Sequence, residues 1–208
     1  MTEIILVRHG ETEWNVAEIF RGRLDIALNE TGLRQAELLA RELSGWKLAA
    51  VYSSPLKRAL QTAEPIARYH ELVVKTSPGL TDLNFGEWQG RAREEVKNKY
   101  PQIYTEWIES PHKVRVPGGE SLDEVRERAT RLVEEVVAQH QGTVVLVSHR
   151  VITKVLICAL LGLDNSRFWN IRHDNCGVTI FDYRKGRFIL NRHNDTSFLA
   201  PAGRLADF

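Results

Sequence analysis

The chain has 208 residues, enough for one sizeable hydrophobic core and too few to require two. Its 28 Lys and Arg against 27 Asp and Glu leave a formal net charge of +1, which excludes a global field for nucleic acid or a membrane surface and confines any attraction for anions to local clusters. No basic, apolar, small-residue leader is present, and no apolar run approaches the roughly 20 residues that span a bilayer. A cytoplasmic protein without nucleic-acid or membrane partners is therefore expected. Its two cysteines, Cys158 and Cys176, lie outside any C-x-x-C pair and fit reduced, buried thiols.

The first element is the aliphatic run Ile4-Ile5-Leu6-Val7, a strand buried on both faces, which ends in Arg8-His9-Gly10 with Thr12 and Asn15 just beyond. Leu33, Ala36, Ala40 and Leu43 recur near the 3.6 period and predict a helix over Thr31 to Leu43. A second strand is predicted over Ala49 to Ser53. Ser53-Ser54-Pro55 then opens a helix with serine as N-cap and proline in the first turn, which also places Arg58 there. Residues 84 to 117 break the rhythm: Trp88, Tyr100, Tyr104 and Trp107 are scattered among charges without another aliphatic strand. They read as an insertion over one end of the sheet, either a lid or a packing unit.

Ser121 to Glu124 is a capping-box pattern, followed by the periodic Leu122, Val125, Ala129, Leu132 and Val136 of a long helix. Val144 to Val147 repeats the first strand and leads through Ser148 into His149. Val178 to Tyr183 and Phe188 to Asn191 predict an antiparallel hairpin at a sheet edge. Pro201 to Phe208 gives no reading. Strands alternating with helices predict an α/β fold, a three-layer α/β/α sandwich whose sheet is mostly parallel with an antiparallel edge, as one domain over residues 1–208.

Both Arg8-His9 and His149 follow strand ends, where open α/β sheets place their chemistry, so one crevice can hold two imidazoles and a guanidinium. Arginine beside His9 disfavours a second positive charge and keeps a lone pair available for attack on phosphorus. His149 can then stabilise charge on the equatorial oxygens, with Arg8 and Arg58 as bidentate clamps. Metal chemistry lacks support: there is no H-E-x-x-H or His-x-His, and arginines adjoin both histidines. No G-x-x-x-x-G-K-(S/T) loop or G-x-S-x-G elbow occurs. His70, His112, His140, His173 and His193 lack such clustering and read as structural, with His173, in Arg172-His173-Asp174-Asn175, the one most able to approach the crevice.

Three blocks, Leu6 to Asn15, Ser53 to Ala63 and Val147 to His149, together with Pro117-Gly118-Gly119-Glu120-Ser121, resemble the histidine phosphatase superfamily in its phosphoglycerate mutase-like branch. That resemblance spans nearly the whole chain. It implies a covalent phosphohistidine at His9, a phosphate pocket of Arg8, Arg58 and His149 with a contact from Asn15, and neither metal nor cofactor. It offers Arg21 as a further substrate contact, at a position where relatives often hold a small or amide side chain. Asp82-Leu83-Asn84-Phe85-Gly86-Glu87-Trp88-Gln89-Gly90 aligns Asp82 with the family's general acid, one methylene short, with Glu87 as the competing carboxyl.

Arg150 stands where many relatives have glycine or a small residue, and it suits either a substrate carboxylate or second phosphate, or a surface ion pair. The expected activity is metal-independent hydrolysis of small phosphomonoesters, with phosphoserine, α-ribazole 5'-phosphate or a broad range as candidate substrates and a leaning to phosphoserine from Pro111-His112-Lys113-Val114. A phosphoglycerate mutase, which must hold its phosphoenzyme from water, and a non-catalytic phospho-ligand binder are the alternatives. A homodimer stays among the candidate assemblies.

Overall fold

The computed structural model describes residues 1–202; the last part of the tail, 203–208, lies outside them. The central strands are β1 (Thr2–Arg8) and β4 (Gly142–Ser148), and their continuous aliphatic runs follow from burial on both faces. Ile4, Leu6, Val144 and Leu146 point into one core, while Ile5, Val7, Val145 and Val147 point into the other. The six strands run in the order β3 (Val74–Thr76), β2 (Leu48–Ser53), β4, β1, β5 (Val178–Arg184), β6 (Arg187–Asp195). The first four are mutually parallel, and β5 and β6 are antiparallel additions on one side. Lys185 and Gly186, both at positive φ, make the tight turn between them that the right-handed strand twist favours.

Helices cover both faces, giving the three layers expected. The short helix α1 (Glu13–Val16) follows β1 and is closed by a capping box between Thr12 and Asn15. On one face lie α2 (Glu30–Leu43) and α3 (Lys57–Tyr69), whose Leu39, Leu43, Ala63 and Ile66 fill the second core. Two local expectations need correction. Leu33 is not on the buried stripe but 48% exposed, because Gly32, one residue earlier, faces the backbone of Glu11 and turns Leu33 outward. The helix start after β2 also differs: Leu56 is the N-cap of α3 without a side-chain cap, and Ser54 and Pro55 precede the helix.

Between β3 and the other face, the chain passes through a 3₁₀ turn at Gly86–Trp88, then α4 (Arg93–Lys99) and α5 (Pro101–Glu109). This is the segment read as an insertion. Trp88 and Trp107 are buried and pack edge-on, 6.4 Å between ring centroids, with Phe20, Phe85, Tyr104 and Phe168 around them. The opposite face is then closed by α6 (Leu122–Gln139), with the predicted capping box of Ser121 and Glu124, and by α7 (Arg150–Leu160). Both cysteines are buried and free. Among the described residues, no helix is long and apolar enough to cross a membrane.

Candidate active site

The site grows from the register of the sheet. Val7 lies opposite Val147 and Arg8 opposite Ser148, so the next residue on each strand, His9 and His149, leaves the sheet at one height. The His9 amide donates to Ser148 O at 2.9 Å, and the rings stand 5.2 Å apart. At the end of β2, Ser54 N donates to Val147 O. The Ser148 hydroxyl donates to Leu80 O at 2.6 Å, which fixes the loop that carries Asp82. Three hydrogen bonds at the strand ends thus locate the reacting groups.

Gly10 lets the chain pack closely against helix α2. A Cβ there would lie 2.6 Å from Gly32 O, and a Cβ on Gly32 would strike the Glu11 backbone. The crossing lets Gly10 N donate to Thr62 Oγ1 at 3.0 Å.

His9 is buried, and its Nδ1 donates to Gly10 O at 2.6 Å, which puts the proton on that nitrogen and the lone pair on Nε2. Burial first, then the guanidiniums of Arg58, Arg8 and Arg21, hold its pKa well below the ordinary imidazole value. His149 is the complement. Arg58 Nε donates to its Nδ1 at 3.2 Å, and Nε2 donates to Ser54 Oγ at 2.7 Å. Burial, Arg58 and His9 depress it likewise. Both rings are neutral at pH 7.

Arg58, in the first turn of α3, is fully buried and holds three further oxygens: Leu24 O at 2.8 Å, Gly22 O at 2.7 Å and Asp82 Oδ2 at 3.1 Å. Its fork is therefore engaged with the 22–24 loop and Asp82. Arg8 Nη1 donates to His173 O at 2.9 Å, so His173 contributes its carbonyl here while its ring pairs with Thr179. Asn175 Nδ2 donates to His9 O at 2.8 Å.

Asp82 sits 3.8 Å from His149 Nδ1 and also accepts from Leu83 N. Glu87, the competing carboxyl, is exposed and accepts from the Tyr100 hydroxyl at 2.7 Å, away from the cavity lining. Of the two carboxyls, Asp82 is the one in the cavity lining.

Above the cluster opens a cavity of about 500 Å³. Asn15, Arg21, Asp82, Arg150 and Asn175 form its polar side, and Phe20, Phe85, Tyr104, Trp107 and Trp169 its aromatic wall. Asn15 Oδ1 is committed to the α1 cap, accepting from Thr12 N and Oγ1. The Thr12 hydroxyl is spent on that same cap.

Arg21 is pushed down to about 9 by burial and then by Arg8, Arg150 and Arg58, and it remains a cation at neutral pH. Among the described residues, no group of three or more His, Cys, Asp and Glu side chains is arranged to hold a metal ion.

Sequence reasoning reached Arg8, His9, Asn15, Arg21, Arg58, Asp82 and His149, and the structure brings them together. It missed Ser54, Thr62 and Asn175, which act on the site through backbone or ring hydrogen bonds. The only signal for Asn175 was its place in the 172–175 loop.

This arrangement has known counterparts. Residues 4–196 match the histidine phosphatase superfamily (branch 1). Phosphoserine phosphatase 1 of Hydrogenobacter thermophilus is 43% identical over 200 residues, 96% of this chain and 95% of that protein. A metal-independent phosphoserine phosphatase of Arabidopsis thaliana is 33% identical over 99% of this chain and 86% of its own length. A phosphoserine phosphatase from Entamoeba histolytica, solved with 3-phosphoglyceric acid, superposes with a TM-score of 0.85 at 32% identity, covering 96% of this chain and 100% of that one. A match over most of the length, around two neutral histidines at neighbouring strand ends, makes this chain a member of the histidine phosphatase superfamily.

Proposed function

We propose that the protein is a metal-independent phosphomonoesterase acting on small molecules, with phosphoserine the leading substrate. The observation that carries this reading is His9, whose Nδ1–H is committed to Gly10 O and whose Nε2 lone pair is kept unprotonated among guanidiniums. A neutral imidazole fixed in this tautomer is a nucleophile, and the surrounding cations suit a phosphoryl group.

In the first step, Nε2 of His9 forms a bond to phosphorus as the P–O ester bond breaks. The departing alkoxide takes its proton from the carboxyl of Asp82. Water then attacks the phosphohistidine and gives a proton to Asp82, the N–P bond breaks, and its electron pair returns to Nε2. Arg8 and the Asn15 amide hold the phosphoryl oxygens. Arg58, whose fork is engaged with Gly22 O, Leu24 O and Asp82, contributes its charge and one remaining Nη1–H in place of the bidentate clamp expected. His149 turns its Nε2–H from Ser54 Oγ to a phosphoryl oxygen. Arg21 meets the substrate at the cavity side. No step calls on a metal or cofactor.

The helices between 84 and 117 serve as a lid-like cover whose aromatic wall meets the alcohol portion. The two buried free thiols support a cytoplasmic setting. Phosphoserine is preferred over the other substrates because relatives that match nearly the whole chain carry that name.

The test is phosphoserine turnover in excess chelator by wild type and His9→Ala, with acid-labile, base-stable phosphoenzyme trapped by rapid quench. Wild type should turn over and trap phosphate, and the variant should do neither. Inhibition by chelator would overturn the metal-free mechanism. Transfer of the phosphoryl group between hydroxyls of 3-phosphoglycerate in preference to water would make the protein a mutase, and phosphoserine binding without turnover would make it a binding protein.

A further inference from the structure

The carboxylate of Glu120, in the stretch Pro117 to Ser121 just before α6, is fixed from three sides. Asn84 N donates to its Oε2 at 2.9 Å, and Arg23 Nη2 stands 2.8 Å from Oε1. Arg128, in the second turn of α6, meets both oxygens at 3.2 Å through Nε and Nη2, the fork geometry of a bidentate pair.

The rest of the same guanidinium holds backbone. Nη1 donates to Pro78 O at 3.2 Å and to Gly79 O at 3.1 Å, and Nη2 donates to Asp82 O at 3.3 Å. An arginine has five N–H donors, and every one is taken here: two face one carboxylate and three face carbonyls between Pro78 and Asp82. The loop lies so close to α6 that a Cβ on Gly79 would stand 3.1 Å from both Arg128 O and Leu132 Cβ. From the other side, the Ser148 hydroxyl holds Leu80 O at 2.6 Å. Residues 78–82 are thus clamped between a helix and the end of β4, and Asp82 is the last residue of the clamped stretch. A shift of this backbone would carry the Asp82 carboxyl with it, relative to His149 Nδ1 at 3.8 Å. A misplacement of about 1 Å can cost about 10²-fold in rate.

We propose that Arg128 is a positioning residue for Asp82: locked on Glu120, it sets the place of the 78–82 backbone and so the distance over which Asp82 gives its proton to the alkoxide as the P–O bond breaks. This rests on the phosphatase reading above, with Asp82 as its acid, and deepens it. Arg128 lies outside the lining of the cavity, so it acts through Asp82 and not on the substrate. Its charge is a separate route to the site, because after burial, Arg58, His9 and Arg21 it also lowers the His149 pKa. A lysine would keep that charge but has three donors on a flexible stem and cannot reproduce the fork.

The experiment measures kcat on phosphoserine, whose alcohol needs a proton to leave, and on p-nitrophenyl phosphate, whose phenolate does not. Wild type, Arg128→Gln, Arg128→Lys, Asp82→Asn and the double variant Asp82→Asn/Arg128→Gln are compared. Arg128→Gln should lower kcat on phosphoserine about 10- to 100-fold and on the aryl ester by under about fivefold. Arg128→Lys should fall between wild type and Arg128→Gln in the ratio of the two rates. In the Asp82→Asn background, where there is no proton to place, Arg128→Gln should change that ratio by less than about twofold. The ratio is internal to each variant, so a partly destabilised protein still reports.

Equal losses on the two esters would make Arg128 a merely structural residue and overturn the assignment. So would a change of ratio in the Asp82→Asn background as large as in wild type, which would place the effect outside Asp82. A full wild-type ratio in Arg128→Lys would make charge alone responsible and overturn it too. Each of these outcomes leaves the phosphatase reading standing, whereas a wild type that turns over neither ester would overturn that reading and this one with it.

Discussion

Replacing Asp82 by asparagine separates proton delivery from charge pairing. The side chain keeps its size and an oxygen that can still accept from Arg58 Nη2 at 3.1 Å, but it has no proton to give a leaving alkoxide. Positioned general acids contribute about 10²–10⁴-fold, so kcat on phosphoserine, whose alcohol leaves poorly, should fall by roughly that factor. For p-nitrophenyl phosphate, whose phenolate leaves unaided, the loss should be under about tenfold.

The cost in stability is smaller than removal of a buried partner, about 3–5 kcal/mol, would imply. Arg58 retains Gly22 O, Leu24 O and His149 Nδ1. A loss of about 1–2 kcal/mol remains, which lowers Tm by roughly 2–8 °C for a chain of this size. Steady-state kinetics on both substrates at 25 °C, with thermal melts alongside, measure both effects. Glu87→Gln serves as the comparison, with kcat within about twofold of wild type because the residue is exposed and bonded to Tyr100. Equal losses on the two substrates would refute Asp82 as proton donor and leave it a positioning residue for Arg58, and a larger effect at Glu87 would refute the assignment outright.

Two further outcomes follow from the same geometry. His9 and His149 have native pKa values below that of the unfolded imidazole, about 6.5, so below that pH the unfolded chain takes up protons that the native site refuses. Their contribution is intact above about 6.5 and is lost as the pH falls, at up to about 1.4 kcal/mol per pH unit for each ring. Chemical denaturation from pH 7 to 5 should show this slope, and His9→Gln should remove about half of it; an unchanged slope would refute the linkage. Separately, Gly32→Ala drives a methyl into the Glu11 backbone and should cost about 1–3 kcal/mol while displacing His9 and lowering kcat. Melting and turnover equal to wild type would mean that the Gly10–Gly32 crossing yields freely.

The reading from sequence succeeded where one physical signal dominated. β1 and β4 are continuous aliphatic runs because both faces are buried, and the same runs locate His9 and His149 at strand ends. The capping box of α6 was local chemistry, visible in four residues. β3 escaped notice because its three residues, Val74 to Thr76, are an edge with little buried surface. The role of Ser54 was misread because serine before proline is also a helix-opening pattern, and only the fold brings it to His149, 95 positions away. The engagement of Arg58 with the carbonyls of Gly22 and Leu24 was equally illegible: backbone acceptors carry no residue identity. Leu33 followed the helical period but not the buried face, since a backbone crossing at Gly32 set the rotation of α2.

The two histidines are placed by the hydrogen-bond ladder of neighbouring parallel strands, whereas the aromatic wall comes from three stretches outside the strands, which carry Phe20, Phe85 to Trp107 and Trp169. Chemistry and choice of substrate are thus inherited through separate parts of the chain. Mutations can reshape the wall around Trp107 and Trp169 without shifting the reacting nitrogen relative to its neighbours. That separation gives the fold a route to new specificities in which each intermediate sequence still cleaves phosphate esters.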